Sequence, residues 1–104
     1  MAAKNSDTAK QDALDMKAVS DIAKRFVIEL NGEQEQLQIE EVILSPDRKL
    51  WLVTVSYLQL INNPNQLQQA LNLLSRRVYK RLTIDSKSLR VVGMQNWTLV
   101  PQAA

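Results

Sequence analysis

The sequence has no cysteine and no histidine. The first absence removes disulfides, thiolate nucleophiles and cysteine-based metal sites together. The second removes the commonest general base near neutral pH and the commonest metal ligand. Carboxylates, lysines and tyrosines are all that remain for acid–base work, so we expect no catalytic residues, no metal and no cofactor. Glycine is also scarce, with 2 in 104 residues, and no phosphate-cradling loop, nucleotide fingerprint or serine-centred elbow is present. No run approaches the roughly 18–20 apolar residues of a membrane helix. The first residues are polar and lack the apolar core of a signal peptide. The expectation is a cytoplasmic protein with no membrane partner.

What is present is an ordinary globular composition: 45% hydrophobic residues in a length that fits one domain. The net charge of +2 hides a polarity along the chain. Residues 1–47 hold ten acids and five bases, whereas 48–104 hold eight bases and one acid, Asp85. Such asymmetry marks either two halves that neutralise each other or a surface for an anionic partner.

Periodicity divides the chain into elements. Residues 1–12 are small and polar and read as a disordered tail. Val19, Ile22, Ala23, Phe26 and Leu30 recur at three- and four-residue spacing, which predicts a helix over about 13–30. Asn31-Gly32 should end it, because glycine accepts the left-handed conformation there. Leu37–Leu44 reads as a strand, Ser45–Lys49 as a turn, and Leu50–Leu58 as a second strand. In that second strand Trp51, Val53, Val55 and Tyr57 form the expected core face. A five-residue turn would set Ile43, Ile39 and Leu37 beside that face and bring Glu41 with them. An even-length turn would swap the faces, and the pattern does not choose between them.

Leu67, Ala70, Leu71 and Leu74 suggest a short helix over about 65–75. Two more strands follow, Arg76–Asp85 and Leu89–Trp97, joined at Asp85–Ser88. Pairing Ile84 with Leu89 puts Val78, Leu82, Ile84, Leu89 and Val91 on one face. The other face then carries Arg77, Tyr79, Arg81, Thr83, Arg90, Val92 and Met94. The expected architecture is α+β. A long N-terminal helix covers one side of a four-stranded antiparallel sheet, in the order α-β-β-(α)-β-β, as a single domain over 13–99 with a tail at 100–104.

The segment Tyr79–Trp97, YKRLTIDSKSLRVVGMQNW, resembles the closing hairpin of PepSY-like domains: an aromatic, an alternating strand, an aspartate, a tight turn and a second strand. The helix ending at Asn31-Gly32 and the strand Leu50–Leu58 stand in the matching order. The same order resembles the gas vesicle protein O family and the wider cystatin-like set. The likeness spans about residues 15–97. It implies a curled sheet on a helix, and a small inhibitory or regulatory module without chemistry of its own.

Arg77, Tyr79, Arg81, Arg90, Val92 and Met94 are the candidate partner-binding residues. Exposed apolar side chains beside them point to a protein interface, with a homodimer through this sheet face as the preferred reading. Guanidinium groups and an aromatic on an open sheet are also the chemistry of nucleic-acid binding, which is the alternative. A small-ligand cavity between helix and sheet, lined by Trp51 and Trp97, is a third reading; core packing is the plainer role for these two. Glu33, Glu35, Glu40 and Glu41 read as a solvated acidic stretch. Glu40 and Glu41 are adjacent on a strand and so point to opposite faces.

Overall fold

The computed structural model describes residues 2–72 and 74–98, with side chains from residue 10 onward. Its elements are α1 (Ala2–Asn31), β1 (Glu35–Leu44), β2 (Leu50–Leu60), α2 (Gln66–Ala70), β3 (Ser75–Asp85) and β4 (Val91–Trp97). The strands form one antiparallel sheet in the order β1-β2-β3-β4. The fold is therefore α+β, with the helix on one face of the sheet and a short helix between the second and third strands. The expected C-terminal tail at 100–104 lies outside the described residues.

The helix starts earlier than periodicity suggested. Residues 2–12, expected as a disordered tail, belong to α1. Neither glycine nor proline interrupts residues 1–31, and alanine, lysine and glutamine are good helix formers. The helix ends as expected: Gly32 adopts φ +81° and its N–H donates to the Ile28 carbonyl at 2.7 Å.

The core lies between α1 and the sheet. Val19, Ala23 and Val27 on the helix meet Trp51, Val53, Val55 and Tyr57 on β2 and Leu82 and Ile84 on β3, all buried. The expected β2 core face is thus the observed one. Strand β1 reaches the same core through Leu37 and Ile39, and then through Val42 and Leu44. These two pairs differ in parity, and a bulge reconciles them. Ile39 faces Val55 and Glu41 faces Thr54, leaving Glu40 as the extra residue. The consequence is that Ile43 and Glu41 lie on the far face of the sheet. The five-residue turn alone would have placed both against the helix.

The long hairpin between β2 and β3 ends in α2. Asn65 caps it through a reciprocal pair, its side chain accepting from Gln68 N while Gln68 accepts from Asn65 N. No residue of α2 is buried, so this helix is shorter than expected and held by its cap and the closing Ile61–Leu74 backbone bond.

Candidate functional site

The sheet face opposite α1 is built by alternation. Every second residue of β2, from Leu50 through Leu52, Thr54, Ser56 and Leu58 to Leu60, points away from the helix. Thr83, Arg81, Tyr79 and Arg77 stand beside Leu52, Thr54, Ser56 and Leu58. Strand β4 adds Gly93, Gln95 and Trp97, paired with Thr83, Arg81 and Tyr79. No element of the described residues covers this face, yet Thr54 and Ser56 are fully buried. Long neighbouring side chains provide the cover.

Arg81 lies across Thr54. Its guanidinium sits 3.6 Å from the centroid of the Trp97 ring, in full contact. Its Nε donates to Thr54 Oγ1 at 3.3 Å and its Nη2 to Glu41 Oε1 at 3.4 Å, both long for hydrogen bonds. Stacking on the indole is therefore the better-formed contact. Arg81 is 15% exposed at its side chain and Glu41 42%, so the ion pair itself is worth less than about 1 kcal/mol. Arg77 covers the next hydroxyl: Nη1 donates to Ser56 Oγ at 2.8 Å and to the Gln36 carbonyl at 3.1 Å, and Nη2 donates to Gln36 Oε1 at 2.7 Å. Gln36 presents both acceptors from a left-handed conformation, φ +51°, at the irregularity of β1 between Glu35 and Gln38. No buried polar side-chain atom among the described residues lacks a partner.

Arg77, Tyr79 and Arg81 thus share one face, as the alternation of β3 predicted. Arg90 and Met94 do not join them. The β3–β4 turn is longer than expected: Leu89 takes φ +57°, Asp85 N donates to the Arg90 carbonyl, and β4 begins at Val91, opposite Ile84. Arg90 precedes the strand and lines a groove with Ile22, Arg25, Phe26 and Glu29, on the helix side. A bulge between the pairs Ile84–Val91 and Thr83–Gly93 then leaves Val92 as an exposed extra residue and reverses the parity beyond it. Met94 consequently faces Leu82, on the side of α1, and Trp97 faces Tyr79, on the open side. Trp97, expected in the core, is the aromatic that sequence reasoning missed on this face.

No family model, curated protein or solved structure matches this chain. Its own geometry is what bears on function.

Among the described residues, two turn carboxylates are displaced from ordinary behaviour. Asp85 is held below the usual carboxylate range by the N–H groups of Ser88 and Lys87, at 2.8 and 2.9 Å. Asp47 is lowered by the Ser45 hydroxyl at 2.6 Å and the Lys49 N–H at 3.1 Å. Both are loop-closing groups. Glu40 accepts from Gln38 at 2.7 Å. Among the described residues, no three acidic side chains gather as a metal site would require. No described helix is long and apolar enough to cross a membrane.

Against β2 and β3 the helix–sheet space is packed by Val19, Ala23 and Val27, and the groove of about 330 Å³ between α1 and the start of β4 lies at its margin. A concavity of about 460 Å³ lies at the far end of β3 and β4 between Gln59, Arg76, Tyr79, Lys80, Asn96 and Trp97. It is an open groove away from the core. Trp51 belongs to the core at 3% exposure.

Proposed function

We propose that this chain is a non-catalytic interaction or regulatory module of the cytoplasm, dimeric, that presents the sheet face opposite α1 to a protein partner. The observation that carries this reading is the ordered cover over Thr54 and Ser56. Arg81 is stacked on Trp97 and Arg77 is anchored on Gln36, so both side chains are already engaged before anything binds the face. Pre-ordered arginine and aromatic side chains on an uncovered face suit a protein interface, because little side-chain entropy is lost on docking. Leu52, Leu58 and Ile43 supply apolar area between and beside them. The resemblance of the closing hairpin to PepSY-like and cystatin-like modules, and the absence of cysteine and histidine, agree with a binding role in a reducing compartment.

Nucleic-acid binding ranks second. Tyr79 and Trp97 are cross-strand partners and offer a stacking surface. A phosphate, however, would compete with Ser56 and Gln36 for Arg77 and would meet the Glu41 carboxylate beside Arg81. The test is the pair of variants Ile43→Asp and Tyr79→Glu in a co-purification from the native host. Loss of a partner that the helix variant Leu14→Asp retains is the expected result. Equal recovery with all three variants refutes the reading. Recovery of nucleic acid that is released by moderate salt favours the second reading.

A further inference from the structure

The sheet has two free edges, and they are protected differently. Strand β1 carries Glu35, Glu40 and Glu41, is irregular in two places and holds Gln36 at positive φ. Charges, bulges and twists of this kind prevent a neighbouring strand from adding to an edge. Strand β4 reads VVGMQNW, with no charged residue. Beyond its one bulge, Gly93–Trp97 runs in regular register against Thr83–Tyr79. Nothing among the described residues pairs with its outer edge. Alternate residues of this run therefore direct backbone N–H and C=O groups outward, where another strand could use them.

We infer that β4 pairs antiparallel with β4 of a second copy, about a two-fold axis at Gln95, joining the two sheets into one. This rests on the dimeric part of the reading above and names the surface where the copies meet. A strand that pairs antiparallel with itself is its own complement under two-fold symmetry. Neutrality matters here, because like charges set opposite each other on paired strands destabilise them. Strand β1 paired with itself would gather six carboxylates along the seam, three from each copy, whereas β4 brings none.

The register places Gln95 opposite Gln95, Met94 opposite Asn96, and Gly93 opposite Trp97. Side-chain amides are self-complementary hydrogen-bonding groups. At Gly93, a Cβ would meet nothing closer than the Thr83 Cβ at 4.0 Å. The position is open on the outer face and can receive the indole of the other copy, as aromatic residues cover glycines across strands. The two outer faces then form one surface, with both Trp97 rings near the seam.

The experiment uses the full chain. It has no native cysteine, so a disulfide formed by Gln95→Cys can arise only at that residue, which is exposed. The expected results are a wild-type dimer in sedimentation, a covalent dimer of Gln95→Cys under mild oxidation, and none for the β1-edge control Glu40→Cys. Gln95→Lys, which sets two ammonium groups at the axis, should sediment as a folded monomer with wild-type circular dichroism. If Gln95→Lys fails to fold, the cysteine pair decides. A dimer that survives Gln95→Lys and does not cross-link overturns the edge assignment while leaving the dimer intact. A wild-type monomer overturns both.

Discussion

Val53, Thr54, Val55 and Ser56 are consecutive on β2 and all fully buried, but the two sheet faces bury them by different means. On the helix face, burial is apolar contact: Val53 and Val55 lie in the cluster with Val19, Ala23, Val27 and Leu82. On the outer face, burial is achieved by long side chains that bend over the strand and hydrogen-bond to it. The first kind of burial excludes water in the isolated chain and contributes most of the stability. The second leaves a surface of guanidinium, indole and leucine groups that is ordered without being covered. Equal loss of solvent contact therefore does not mean equal energetic weight.

That difference can be broken by substitution. Leu82→Ala removes a fully buried side chain at the centre of the helix face, and should cost about 2–5 kcal/mol in urea unfolding. Exchanging the chemistry of adjacent residues is a sharper test. Val53→Thr puts a hydroxyl among apolar groups and should cost about 1–3 kcal/mol. Thr54→Val, one residue on, should cost less than about 1 kcal/mol, because Arg81 keeps Trp97 and Glu41. Similar losses for the two would mean that the faces are not distinct. Arg81→Ala should cost about 1 kcal/mol through lost stacking and shift Trp97 emission to the red. A double-mutant cycle of Arg81 with Trp97 should return a coupling of about 0.5–1 kcal/mol.

The smallest expected effect lies at the turn. Asp85 is held ionised by the Ser88 and Lys87 amides, so its carboxyl titrates lower in the folded chain than in the unfolded one. Its contribution is thus present above about pH 4, the unfolded value, and is lost as pH falls through the lower folded value. Asp85→Asn should be slightly less stable than wild type at neutral pH, and the gap should close on acidification. A gap that widens in acid would contradict the assignment.

Much of this was legible in the chain. Spacing of Val19, Ala23, Phe26 and Leu30 located the helix, Gly32 its end, and the Trp51 series the core face of β2. Alternation in β3 brought Arg77, Tyr79 and Arg81 together. What escaped was every consequence of a bulge. One extra residue reverses side-chain parity along the rest of a strand. Alternation read straight through Glu40 therefore left the faces of Ile43 and Glu41 open, and alternation read straight through Val92 misplaced Met94 and Trp97. Both bulges fall on edge strands, which have a pairing partner on one side only to hold their register. The helical run over residues 2–12 escaped for another reason: it carries no apolar stripe to signal it.

The two tryptophans report one on each face, and their indole N–H resonances can be followed together. The most direct test records both with a soluble paramagnetic agent, first on the free protein and then with the partner recovered by co-purification. Trp97 should broaden strongly in the free protein and recover when the partner is bound, while Trp51 stays sharp throughout. A Trp97 signal as shielded as that of Trp51 in the free protein, or one that broadens equally with the partner present, would contradict an open, partner-binding face.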